Sequence, residues 1–174
     1  FLLHIGNGGI SYQNSAAGPG YGIFPLGKNV DEFIPDNVEK YLKADCKIFS
    51  KMDSRFWNEL NKNIDENISD EDFEIEIGKI FSGILPIGTE GCTYYYGLVL
   101  NGNGKGRIVH IDIDSQKPYF AFEDNFLDWY ERWLDEITAE SFEDQTPLFS
   151  YTLGGAVSHI LEVYRPADDQ EIKK

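Results

Sequence analysis

Cysteine is scarce. Cys46 and Cys92 are the only two in 174 residues, and they form neither a CxxC pair of the zinc or redox kind nor a disulfide framework. Free thiols in a reducing compartment are expected, which points to the cytoplasm. Basic side chains are outnumbered as well, 15 Lys and Arg against 30 Asp and Glu, giving a formal charge of −15. That balance opposes binding to nucleic-acid phosphates and to anionic membrane surfaces, and favours cationic partners. Solubility alone is the plainer account of the same excess. No apolar run approaches the ~20 residues of a membrane-spanning helix. The histidines are few and scattered, at His4, His110 and His159, and no Gly-x-Ser-x-Gly elbow accompanies them, so no nucleophilic triad is expected.

Aromatic and aliphatic residues are present in quantity. With 41% hydrophobic and 14% aromatic side chains, the chain has the material for a packed core and does not read as disordered. Its length suits one domain. Phe1 to Ile5, followed by Gly6-Asn7-Gly8-Gly9, reads as the last turn of an amphipathic helix whose start lies upstream, closed by residues that accept the left-handed conformation. Tyr21 to Phe24 reads as a short strand between Pro19-Gly20 and Pro25, and a loop-rich stretch containing Pro35 follows. From Asp53 as N-cap, Phe56, Trp57, Leu60, Ile64 and Ile68 recur at helical spacing. The acidic run from Asp65 to Glu76 is expected to be an exposed connection, and Ile80 to Ile87 a strand.

The sharpest local signal is a hairpin, Cys92 to Leu100 and Arg107 to Asp114, around the glycine-rich loop Asn101 to Gly106. If one face is wet, alternation places Tyr94, Tyr96 and Leu98 with Val109, Ile111 and Ile113, and Tyr95 with His110, Asp112 and Asp114 on the other face. Pro118 to Phe120 adds a short strand. Asp124 or Asn125 then caps a helix with Phe126, Tyr130, Trp133, Leu134 and Ile137 on one stripe and Asp128, Glu131, Asp135 and Glu136 outward. Trp129 falls off that stripe, as a boundary residue. A last segment, Phe149 to Tyr164, reads as helical around Ala156 to Leu161. Strands in succession, with helices grouped before and after them, indicate an α+β domain whose antiparallel-dominated central sheet is covered by helices on one side. Residues 1–140 make up this domain, and 141–174 form an extension packed on it with a frayed tail.

Several constellations have a chemical reading and a plainer one. His110, Asp112 and Asp114 alternate along one strand and would project together, but three nearly collinear groups do not complete a coordination shell, and a half-buried strand has a polar face in any case. Asn101 to Gly106 lacks the Ser or Thr of a phosphate loop and joins two strands, so it reads as a turn. Most of Trp57, Trp129, Trp133, Tyr94 and Tyr96 fall where the helical or strand period puts core residues. No catalytic residue, metal site or cofactor is expected.

The chain resembles the SUKH superfamily, which includes bacterial toxin-immunity proteins and fungal cell-wall-assembly regulators. The resemblance rests on Phe1-Leu-Leu-His-Ile-Gly-Asn-Gly-Gly9, Gly18-Pro-Gly-Tyr-Gly-Ile-Phe-Pro-Leu-Gly27, Leu85-Pro-Ile-Gly88 with Gly91-Cys92, Tyr96-Gly-Leu-Val-Leu-Asn-Gly102, Gly106-Arg-Ile-Val-His110 and Phe126-Leu-Asp-Trp-Tyr-Glu-Arg-Trp-Leu134. These follow one another in the family's order over about residues 1–137. The resemblance implies a sheet flanked by helices and a non-enzymatic protein that neutralises a cognate toxin by direct contact, with a regulatory scaffold in a cell-envelope or signalling assembly as the alternative. It transfers no fixed contact residues. Charge and exposure nominate Asp65, Glu66, Asp70, Glu71 and Asp72 in the acidic run. They also nominate Tyr95, Asp112 and Asp114 on the strand face, and Asp128, Glu131 and Asp135 on the helix. The expected partner is a basic protein toxin, a nuclease whose cationic cleft is occupied being one such picture.

Overall fold

The computed structural model describes residues 1–2, 6–10, 18–32, 38–114 and 116–140. Its six strands are β1 (Gly9–Ile10), β2 (Gly22–Ile23), β3 (Ile84–Gly91), β4 (Tyr94–Val99), β5 (Ile108–Asp112) and β6 (Tyr119–Phe120). They lie in chain order in one sheet, each antiparallel to its neighbour. The helices are α1 (Val38–Lys43), α2 (Ser54–Leu60), α3 (Asp70–Ile80) and α4 (Phe126–Glu140), with a 3-10 turn at Val30–Glu32. The fold is α+β. Among the described residues no helix is long and apolar enough to cross a membrane. The expected helical segment at 149–164 and the packing of 141–174 lie outside the described residues, as do residues 3–5 of the expected first helix.

The expected caps are present. Asp53 accepts the Phe56 amide at 2.7 Å, and Asn125 accepts those of Leu127 and Asp128 at 2.9 and 3.1 Å, satisfying donors that a helix start leaves open. Helix α2 stops at Leu60, however, and Ile64 and Ile68 sit in turns beyond it. The acidic run is not a connection throughout, because Ser69 caps α3 by accepting the Asp72 amide at 3.1 Å. Asp70, Glu71 and Asp72 then occupy the first turn, where negative charge meets the positive end of the helix dipole. Ile80 accordingly ends a helix, and the strand begins only at Ile84.

The main departure concerns the sheet, which is covered on both faces. Tyr95 pairs with Ile111 and Gly97 with Val109, whereas Tyr96 pairs with His110 and Tyr94 with Asp112. Cross-strand partners share a face, so the parity is the reverse of the expected one. One face carries Tyr95, Val99, Val109 and Ile111 against Trp57, Ile77, Ile80 and Phe81. The other carries Tyr96 and Ile108 against Trp129 and Tyr130 of α4. The alternation argument assumed a wet face, and with apolar layers on both sides it loses its premise. Gly97 shows how tight the first layer is, since a Cβ there would lie 2.4 Å from Ile84 Cγ2 and 3.1 Å from Ile111 Cδ1.

The hairpin is anchored from its loop. Asn101 Nδ2 donates to the carbonyls of Leu42 and Ala44 at 2.6 and 3.2 Å, which fastens the end of β4 to the end of α1. Arg107 spans the other side, donating to the Ala121 carbonyl at 2.9 Å with its guanidinium over the Phe120 ring. The amide of Phe126 reaches the Gly106 carbonyl at 2.9 Å. The loop thus fixes where α4 begins.

Candidate functional site

The nominated residues separate into places that do not meet. Asp65, Glu66, Asp70, Glu71 and Asp72 are exposed, and Glu74 extends the series. None of these carboxylates forms an ion pair among the described residues. They sit at and before the start of α3, on the side of the sheet covered by α1 to α3. Asp128, Glu131 and Asp135 are exposed on α4, which covers the opposite face. The two acidic tracts therefore cannot form one flat surface. Glu136 is a correction to the expected outward row, being buried and bound by Arg132 at 2.8 Å. Trp129 is another: it is fully buried, not a boundary residue.

Tyr95 and Asp112 do not share a face, and neither lies open on the surface. Each is 8% exposed, Tyr95 within the core beneath α1 to α3 and Asp112 on the α4 side beside Tyr94. Asp114 alone of the expected strand-face set is exposed. Tyr95 belongs to the core because its partner is Ile111, in a layer that excludes water.

Around Asp112 the structure makes a pocket of about 330 Å³ lined by Tyr94, His110, Ile111, Asp112, Gln116, Lys117 and Tyr119. Strand pairing assembles it: Tyr94 stands across from Asp112, and Tyr119 across from His110. The imidazole stacks on the Tyr119 ring, with centroids 4.8 Å apart and planes 12° from parallel. It also meets the Tyr96 ring edge-to-face, with centroids 5.2 Å apart. Asp112 Oδ1 accepts both the Thr93 hydroxyl at 2.8 Å and the Asp114 amide at 3.0 Å. His110 Nδ1 is buried and has no hydrogen-bond partner among the described residues. Sequence reasoning placed His110 and Asp112 on one face but missed Tyr94, Gln116, Lys117 and Tyr119. The short strand at Pro118 to Phe120 was the available clue, because its pairing with β5 is what brings Tyr119 onto the imidazole.

Electrostatics under α4 hold this region in a defined state. Arg132 bridges Glu123 and Glu136, with all three side chains largely buried. Burial, helped by the nearby Arg132 charge, pushes the His110 pKa down to about 3, so the ring is neutral. Glu90 accepts the Tyr96 hydroxyl, yet burial outweighs that bond and raises its pKa to about 7. Tyr119 is pushed well above the ordinary phenol range, first by burial and then by the charge of Glu90.

A second concavity, of about 180 Å³, is almost wholly apolar and is lined by Phe1, Leu2, Ile23, Leu26, Leu85, Leu98 and Phe126, among others. Leu2 and Leu26 are 50% and 59% exposed at its edge. Among the described residues no group of three or more His, Cys, Asp and Glu is placed to hold a metal ion. The chain matches no protein-family model, no curated protein and no solved structure.

Proposed function

We propose that this chain is an immunity-type binding protein that neutralises a basic protein toxin by direct contact, in the manner of the SUKH-like proteins its motifs resemble. The observation that carries the reading is the exposed carboxylate series from Asp65 to Glu74, which forms no ion pair among the described residues. Charge left unneutralised in this density produces a field that steers a cationic partner and repels anionic ones. The protein supplies no chemistry in this reading; its action is to occupy the partner's cleft, in the cytoplasm where the toxin is made.

The test begins with capture of partners by the full chain at two salt concentrations, followed by association kinetics with the captured protein. A basic partner released by salt is expected, and the triple change Asp70→Lys, Glu71→Lys, Asp72→Lys should slow association about tenfold and flatten its salt dependence. Association unchanged by that variant would remove this surface from the mechanism. One observation favours a second reading. The apolar groove with half-exposed Leu2 and Leu26 suits a partner held without charge, so an uncharged, salt-resistant partner would identify a regulatory scaffold of a cell-envelope or signalling assembly.

A further inference from the structure

We propose that the pocket formed by Tyr94, His110, Asp112 and Tyr119 receives an arginine side chain of the protein partner. The inference rests on the reading of the chain as a binder of basic protein, and it deepens that reading by locating a specific contact away from the diffuse acidic field.

The pocket is built, not merely acidic. Its volume of about 330 Å³ lies at the low end of ligand pockets, which run roughly 300–1,000 Å³, a size suited to one side chain rather than an extended cofactor. It holds acceptors with capacity to spare. Both donors that reach Asp112 converge on Oδ1, leaving Oδ2 without a donor among the described residues. His110 is neutral, and a neutral imidazole offers one nitrogen as an acceptor. Its buried Nδ1 lacks a partner among the described residues, a costly condition unless something satisfies it.

Guanidinium matches this set better than the other charged groups of proteins. It brings five N–H donors and no acceptor, and its plane stacks on aromatic rings. Tyr94 and Tyr119 supply such walls, and aromatic faces attract cations directly. A carboxylate edge with a flat wall selects a flat ion over the compact, strongly hydrated ammonium of lysine. A phosphate or carboxylate ligand would instead face Asp112 and the overall charge of −15. Among the described residues Lys117 is the one cation lining the pocket, and its Nζ is directed to the Met52 carbonyl at 3.2 Å.

The experiment titrates the full chain with N-acetyl-arginine amide, N-acetyl-lysine amide and inorganic phosphate, following the His110 imidazole and the Tyr94 and Tyr119 ring resonances by NMR. Saturable shifts with the arginine amide are expected, at least tenfold weaker with the lysine amide, and no saturation with phosphate. Asp112→Asn should weaken the arginine response at least tenfold while keeping the Oδ1 bonds; Tyr94→Leu, which leaves that carboxylate untouched, serves as the second variant should the first fail to fold. Equal responses to the two amides, saturation by phosphate, or an arginine response indifferent to both variants overturns the proposal. If the captured basic partner dissociates from Asp112→Asn no faster than from the parent, the pocket assignment fails and the neutralisation reading stands. If no basic partner exists yet the arginine response is present and lost in the variants, the neutralisation reading fails and the pocket keeps its guanidinium preference.

Discussion

Two titratable groups on the α4 side of the sheet, the half-buried Glu90 and the buried His110, oppose each other across overlapping pH ranges. Glu90 has an ordinary value of 4.5 and a folded value of about 7, so between those limits the unfolded chain has released a proton that the folded chain retains. Stability therefore falls as pH rises through that window and is level above it. His110 is the reverse case, 6.5 ordinarily and about 3 when folded. Here the unfolded chain takes up a proton that the folded chain refuses, and stability falls as pH drops from 6.5 towards 3. Between about 4.5 and 6.5 the two slopes cancel in part. Glu90→Gln retains an oxygen for the Tyr96 hydroxyl and removes only the first contribution. It should raise stability at pH 8 by on the order of 1–3 kcal/mol and change it little at pH 4, as read from urea midpoints at the two pH values. An equal gain at both would mean that charge on Glu90 is not the cause.

At the scale of elements, what was legible depended on whether periodicity had one meaning. The hairpin and α4 were readable because strand-like residues flank a glycine-rich turn, and Phe126, Tyr130 and Trp133 repeat at helical spacing after Asn125. Helix α3 was hidden because its start is so acidic that the run resembled solvated chain, although Ser69 with Asp72 three residues later was a capping signature in plain view. The hairpin's facing could not be read at all, since both of its faces are buried and alternation distinguishes only wet from dry. That one error displaced Tyr95 into the proposed contact set and obscured the company of His110 and Asp112. The acids of α3 have a structural share as well as the recognition role proposed for them. Ser69→Ala should cost about 1 kcal/mol of unfolding free energy, measured by denaturant titration, while leaving the salt dependence of partner association intact because it moves no charge. A change in that salt dependence would show that the helix start itself, and not the carboxylates it carries, shapes the surface.

For the molecule as a whole, the question is whether its charges hold it together or push it apart. Three of the ion pairs among the described residues, Lys43–Glu39, Lys62–Glu59 and Lys79–Glu76, lie within three or four residues in sequence, and exposed pairs of this kind contribute little, ~0–1 kcal/mol each. Arg132 with Glu123 and Glu136 is buried and thus poorly reached by counter-ions. Against these stands a net charge of −15, with acids displayed on both sides of a two-faced sheet, so repulsion is spread over the surface where screening acts best. Raising NaCl from about 0.01 to 0.15 M shortens the Debye length from roughly 30 to 8 Å. The expected result is a higher melting temperature, by roughly 2–4 °C for each ~1 kcal/mol of repulsion relieved at this chain length. The triple lysine variant at positions 70, 71 and 72 should show a smaller rise, since it carries less of the repelling charge. A melting temperature that falls with salt in the parent would mean that the ion pairs outweigh the repulsion, and would remove the premise that this surface stores an unneutralised field for a partner.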